Sequence, residues 1–491
     1  MSTIACQTSW NRYHVTGKRK HRRRCNSPVV KFFSLRFAKA GEMNDPFSDT
    51  EVPLRSWLLS PFVRRAVTAL CVIAFAAVVV ASYNRVSRHM GLPGEVSGNQ
   101  QWALADFRDA VYYPTVSFLN GENPYDQQFV EQYPVRFRMS PYTPLFLSLH
   151  VPFGVLPLAA SQLSYFVFMI VLTLVLSWLS LRMCGRNPTV ASITGIAALI
   201  LVSRPGHLNL MYGQTTLEFV LLVYVALYAA LRSSWFSGLA LAGATMKVTF
   251  GLPLAVLMVV ERQYRSVAIG ICIAILATLI PTLVLVHAAG GISTLVNTYL
   301  ECVLGFESAP STSAVASAYR IDAVAIIGRL SGLSPGLFTK LFLFSSILLV
   351  AGLAMRRVRA SFRGRAAELF CISVACIAIL IATYQQTYGA LLLVLPVMAL
   401  VLNCWAPSEL LAGSAARCLL IVLLSVPLVN HLIAPRFWHL FDREGLAWTF
   451  LVSMNGIALA LAFGVYVWVA FRRPQAAAAR SLHDFSKGQG A

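Results

Sequence analysis

The sequence predicts an all-α polytopic membrane protein, and three observations carry that prediction. Of its 491 residues 57% are apolar and only 12% are charged, too little polar surface to cover an ordinary soluble domain of this length. Two stretches, 369–408 and 446–471, contain no Asp, Glu, Lys or Arg. Each is long enough for a membrane-crossing helix of roughly 20 residues, and the first is long enough for two. The basic residues bracket the apolar runs, as Arg64-Arg65, Arg182, Arg232, Arg356-Arg357 and Arg472-Arg473 do. That placement sets orientation in a bilayer, so the net charge of +20 does not indicate a nucleic-acid partner.

The elements follow from those flanks. Residues 1–55 are polar and basic around Lys18-Arg19-Lys20 and are expected to form a disordered cytoplasmic tail that touches anionic membrane lipids. The membrane-embedded domain is expected over 56–473, and a second cytoplasmic tail over 474–491. Crossings are expected at 66–83, 162–181, 190–203, 216–231, 266–289, 341–355, 368–383, 389–405, 415–430 and 447–471. The apolar stretch 236–260 has basic residues at both ends, so a broken hairpin bending near residues 243–247 keeps both ends on one side. About ten transmembrane helices then satisfy the major basic flanks, with both termini in the cytoplasm and the long polar segments outside a plasma membrane. Residues 139–158 are apolar, but Pro141, Pro144, Pro152 and Pro157 favour short extracytoplasmic interfacial helices over a straight span.

The external segments hold the polar chemistry. Asp106 and Asp109 fall in a predicted helix over 103–119 that Gly121, Asn123 and Pro124 terminate, and three-residue spacing puts them on one face. A carboxylate at the membrane edge is partly desolvated, which suits it to accept a proton from a sugar or lipid hydroxyl. Capping or solubilising the helix start is the simpler role for either. Arg138, just before Ser140 and Pro141, can hold a phosphate through its planar fork or snorkel to the interface. Arg204 and His207 can bind phosphate in the polar segment 204–214, where Gly213 permits a tight bend and Gln214 can hydrogen-bond hydroxyls.

Lys247 lies in the middle of an apolar stretch, so its ammonium must meet an anionic ligand, pair with a carboxylate such as Glu218, or snorkel. Tyr384 and Gln385 interrupt a long uncharged run and can line a carbohydrate pocket, or form an ordinary polar hairpin. No compact His, Asp and Glu set demands a metal, and no cofactor is expected, although an ion bridging Asp and phosphate stays open. The ten cysteines include no CxxC pair and read as small hydrophobes rather than a zinc site or disulfide scaffold.

In order along the chain, Asp106-Phe107 leads to Tyr112-Tyr113, then to Gly121-Glu122-Asn123-Pro124-Tyr125-Asp126. Pro141-Tyr142-Thr143-Pro144, Gly213-Gln214 and Ala244-Thr245-Met246-Lys247 follow. This series resembles the integral-membrane GT-C glycosyltransferases, specifically glycosyltransferase family 87, whose mannosyltransferase members use polyprenyl-phosphate mannose. The resemblance implies a GT-C-like helical bundle. It also implies inverting transfer of a hexose, expected to be mannose, from a polyprenyl-phosphate sugar donor to a lipid or glycan acceptor at the outer face, with a first-loop Asp as base. Asp106 fits the family's Asp-Phe pattern, whereas Asp109 fits the shorter distance to Tyr113. Two positions depart from the family: Lys247 is followed by Val248 where members often have proline, and the histidine expected at the later outer turn is absent from 384–388. A transporter or flippase of lipid-linked sugar, or a noncatalytic assembly subunit, is the rival reading, but no internal duplication supports alternating access.

Overall fold

The computed structural model describes residues 60–88, 103–135, 142–362, 364–404, 414–442 and 445–472. The expected tails 1–55 and 474–491, and the candidate Arg138, lie outside the described residues. Residues 1–64 separate from 65–491 as a unit of their own, and the site lies wholly within the second unit. Every regular element described is helical, with a single isolated antiparallel bridge between Arg320 and Gln386 among the described residues.

Helix α1 (Pro61–Ser87) precedes one turn of α2 (Ala105–Phe107), a π-helical turn at Arg108–Tyr112 and α3 (Tyr113–Leu119). This is the helix expected over 103–119, with a change of register inside it. Pro114, in the first turn of α3, has no N–H to give to a preceding carbonyl, and the wider turn before it absorbs the missing bond. The short α4 (Gln128–Gln132) leads to α5 (Pro144–Gly154), which starts on Pro144 and contains Pro152. Eleven residues are what those prolines allow in the region where short helices were expected.

Next come α6 (Leu158–Met183), α7 (Val190–Val202) and α8 (Arg204–Tyr212), the last bent 78° from α7. The polar segment expected as a loop over 204–214 is thus mostly helix. Its signals are local: the Ser203 hydroxyl accepts from the Gly206 N–H at 3.2 Å, Pro205 occupies the first turn, and Gly213 closes the helix at φ +68°. Helices α9 (Thr216–Ala229), α10 (Ser234–Ala244) and α11 (Val248–Val260) follow. The break between α10 and α11 falls at 245–247, where the sequence requires one. It is tightly packed, since a Cβ on Gly251 would stand 2.4 Å from the Thr245 Cα.

The rest comprises α12 (Tyr264–Ala288), α13 (Ile292–Ser308), α14 (Ala323–Ser331), α15 (Leu337–Ser361) and α16 (Arg365–Ala382). A 3-10 segment (Thr387–Leu393) then runs into α17 (Val394–Val401), and α18 (Ser414–Val429) and α19 (Leu446–Phe471) complete the described chain. Helix α16 is apolar all round and buried at every position from Leu369 to Ala382, as a helix at the centre of a bundle should be. By contrast α12 exposes Ile271, Ile275, Leu276, Leu279 and Ile280, a surface suited to lipid.

Among the described residues six helices, α1, α6, α12, α15, α16 and α19, are long and apolar enough to cross a membrane, and the bent α7–α8 pair makes a seventh if it counts as one span. The chain is therefore a multi-pass membrane protein. Charge patterning alone asks for ten crossings, but α9 has 14 residues, and the continuous apolar segment Thr387–Val401 is also among the helices too short to qualify as spans. At about 1.5 Å per residue, such helices fall short of a hydrocarbon core about 30 Å thick.

Candidate functional site

The start of α2 is clamped onto the end of α8. Leu104 adopts φ +50° and donates its N–H to the Met211 carbonyl at 2.7 Å, while Gly213 approaches so closely that a Cβ there would lie 2.6 Å from the Phe107 Cβ. From the other side Phe107 stacks on Tyr165, with ring centroids 4.3 Å apart. Asp106 is held between these contacts, half-buried, and the Gln214 side-chain amide donates to its Oδ2. A charge-assisted hydrogen bond of this kind fixes the orientation of a carboxylate as well as stabilising it.

Asp109 has a different environment, although only three residues away. It is fully buried, and Arg108, also buried, donates from Nε to its Oδ1 at 2.7 Å. Its charge acts on Tyr113, whereas that of Asp106 acts on Lys247, Tyr142, Tyr384 and Tyr388. The π-helical turn beginning at Arg108 breaks the three-residue face on which a regular helix would have placed both carboxylates.

Lys247 occupies the break between α10 and α11, where the neighbouring Met246 carbonyl accepts from the Thr143 N–H at 3.1 Å. Its ammonium is collared by four rings: Tyr142 at 5.7 Å, Phe219 at 5.8 Å, Phe250 at 5.4 Å and Tyr388 at 5.4 Å. Among the described residues no hydrogen-bond acceptor or ion pair reaches Nζ. Ring faces attract a cation by about 0.5–2 kcal/mol each, which offsets only part of the cost of removing an ammonium from water. Glu218, the carboxylate expected as a structural partner, is engaged elsewhere, at 3.3 Å from His150 Nε2 and accepting from the Tyr165 hydroxyl at 3.1 Å.

Tyr384 joins this neighbourhood from the turn after α16. Its hydroxyl accepts from the Gln386 amide, and its ring packs edge-on against Phe306 at 5.4 Å. Gln385 is buried and serves as a tie: its side chain donates to the Thr249 carbonyl at 3.3 Å, and its own carbonyl accepts from the Ile321 N–H at 2.9 Å. The structure thus brings Asp106, Gln214, Lys247 and Tyr384 together. Arg204, buried at the start of α8, acts instead on Tyr319, whose phenol hydrogen-bonds Tyr212. His207 is half-buried in the same helix.

Sequence reasoning assigned nothing to 317–329, yet this segment supports Tyr384. Arg320 grips Asp322 with two bonds of 2.9 and 2.8 Å, donates to the Thr312 carbonyl at 3.0 Å and lies 4.8 Å over the Tyr384 ring. Asp322 also caps α14 by accepting from the Ala325 N–H at 3.1 Å. Arg329 donates to the carbonyls of Val452, Ser317 and Arg320 at 2.9, 2.7 and 2.7 Å. One signal was available: an Asp immediately before the run Ala323-Val324-Ala325-Ile326-Ile327 is a helix start. Among the described residues no group of three or more His, Cys, Asp or Glu side chains stands ready to hold a metal ion.

Residues 141–396 match glycosyltransferase family 87, just over half of the chain. The chain belongs to that family, one of the GT-C glycosyltransferases. The family 87 match contains Gln214, Lys247, Tyr384 and Gln385, and it begins after Asp106, which the fold delivers to them from outside the matched span. No curated protein and no solved structure matches the chain.

Proposed function

We propose that this family 87 member transfers a hexose, mannose first among them, from a polyprenyl-phosphate sugar to a lipid or glycan acceptor at the extracytoplasmic face of the plasma membrane. One observation carries the reading: a carboxylate oriented by Gln214 and an ammonium whose close partners among the described residues are ring faces lie within each other's field. The donor's phosphate brings an anion to Lys247, and the acceptor brings the attacking hydroxyl to Asp106.

In this mechanism Asp106 takes the proton of the acceptor hydroxyl as that oxygen attacks the anomeric carbon opposite the phosphate. The bond from the anomeric carbon to the phosphate oxygen breaks, and its electron pair leaves with polyprenyl phosphate. Lys247 offsets the charge developing on that leaving group. A single displacement of this kind inverts the anomeric configuration, and the proton ends on Asp106. The aromatic collar limits water at Lys247, which strengthens its attraction for phosphate. Entry of the lipid from the bilayer avoids carrying a polyprenyl chain through water.

The test is turnover by purified protein in vesicles of defined lipid, supplied with polyprenyl-phosphate sugars and candidate acceptors. The expected result is a donor-dependent glycoside that Asp106→Asn no longer makes and that Glu131→Gln, at an exposed position, still makes. Transbilayer movement of the donor without a new glycosidic bond contradicts the proposal and favours the flippase.

A further inference from the structure

The start of α9 meets the Asp106-Phe107 turn at both residues. Gln214, just before that helix, donates to the Asp106 carboxylate directly. Glu218, one turn further on, reaches Phe107 through a ring: its Oε1 accepts from the Tyr165 hydroxyl at 3.1 Å, and the Tyr165 ring stacks on Phe107 with centroids 4.3 Å apart. Phe153 closes the stack edge-on, 6.0 Å from Phe107 and 5.2 Å from Tyr165. Phe107 and Tyr165 are fully buried, so neither ring turns without displacing its neighbours.

The second oxygen of Glu218 is held as well. His150 Nε2 lies 3.3 Å from Oε2, and His150 Nδ1 lies 2.8 Å from the Phe146 carbonyl. A carbonyl only accepts, so Nδ1 carries a hydrogen and donates it. One further proton then lies between Nε2 and the carboxylate, because two lone pairs would repel there. Burying such a pair costs more than an apolar contact of the same size. What it gives here is direction: a carboxylate fixed at both oxygens sets where the Tyr165 hydroxyl, and with it the ring, can point.

We propose that Glu218, anchored by His150, is a positioning residue that aims Asp106 through Tyr165 and Phe107. The inference rests on Asp106 acting as the base in the proposed transfer. Helix α2 spans only Ala105–Phe107 before the π-helical turn, so the regular ladder is interrupted directly after Asp106, and side-chain contacts supply the direction that the ladder does not. A Phe107 ring that slips off Tyr165 carries the adjoining Asp106 away from Gln214. Glu218 touches no substrate in this account.

The experiment measures kcat and KM for polyprenyl-phosphate mannose with full-length protein in lipid vesicles. Glu218→Ala and Tyr165→Leu should each lower kcat about tenfold, as a small misplacement of a catalytic group does, with KM for the donor unchanged. Glu218→Gln should recover most of that loss, because its amide carbonyl accepts from Tyr165 and its amide N–H supplies the hydrogen to His150 Nε2. Unchanged kcat per folded molecule in Glu218→Ala overturns the proposal, as does Glu218→Gln as slow as Glu218→Ala, or a rise in KM with kcat held. A second readout needs no turnover: coupling of dicyclohexylcarbodiimide to Asp106, mapped by peptide mass spectrometry, should change at least about threefold in Glu218→Ala and Tyr165→Leu, as a carboxyl pushed off its preferred rotamer would, and return in Glu218→Gln. Equal coupling in all four proteins overturns the proposal. Coupling that changes as expected while no glycoside forms supports the positioning and counts against the transfer reaction alone.

Discussion

Tyr384 stands within reach of two clusters of charge that are built on opposite principles. In the first, Arg320 and Asp322 form a bidentate ion pair, and Arg329 donates to the carbonyls of Ser317, Arg320 and Val452. In the second, Asp106 accepts from the Gln214 amide, while Lys247 is surrounded by Tyr142, Phe219, Phe250 and Tyr388. A buried charge whose partners are all protein groups fixes a fold. A cation collared by rings, with a carboxylate in its field and no ion-pair partner among the described residues, suits an anion that arrives with a ligand. In the proposed reading the first cluster supports the fold and the second carries the reaction.

That contrast breaks if variants in the two clusters have the same phenotype. The largest effect is expected for Asp106→Asn, which should lower turnover by about 10²–10⁴-fold, the usual worth of a positioned base, with the melting temperature unchanged. Lys247→Met keeps the collar filled and should cost about 10²–10³-fold in turnover, as loss of one donor to a developing anion does. Asp322→Asn should do the reverse. It leaves the buried Arg320 without its ion-pair partner and should lower stability by about 3–5 kcal/mol, read in a denaturation curve, while the protein that stays folded keeps its affinity for donor.

Asp109→Asn sharpens the comparison within one helix. Breaking the buried pair with Arg108 should cost about 3 kcal/mol of stability with turnover per folded molecule retained, although the residue lies three positions from Asp106. The smallest effect is expected for Gln214→Ala. Loss of one hydrogen bond to a charged group removes about 1.5–3 kcal/mol, so turnover should fall roughly 10- to 100-fold at unchanged donor affinity. A change in donor affinity alone would reassign Gln214 to binding.

Much of this was legible in the sequence, for reasons that differ element by element. The long spans were readable because roughly 20 apolar residues between basic flanks have few other solutions. The break before Lys247 was readable because an apolar stretch with basic residues at both ends cannot cross once. Helix α8 was obscured because the polarity of 204–214 outweighed its start at Ser203 and stop at Gly213. The site residues were nameable singly, but their pairing was not. Asp106 and Gln214 are 108 positions apart, Asp322 and Gln385 are 63 apart, and Arg329 and Val452 are 123 apart, and no local pattern encodes such distances. The different environments of Asp106 and Asp109 escaped because a regular helical period was assumed where Pro114 forces a wider turn.

The central claim is that Asp106 and Lys247 share one site for a lipid-borne phosphate, and equilibrium binding of polyprenyl phosphate tests it most directly. Lys247→Met should bind at least about tenfold more weakly than the unaltered protein, as removal of a desolvated cation from an anion site requires. Asp106→Asn should bind equally or more tightly, because a negative charge near the phosphate has been removed. Unchanged binding in Lys247→Met, or weakened binding in Asp106→Asn, contradicts the account.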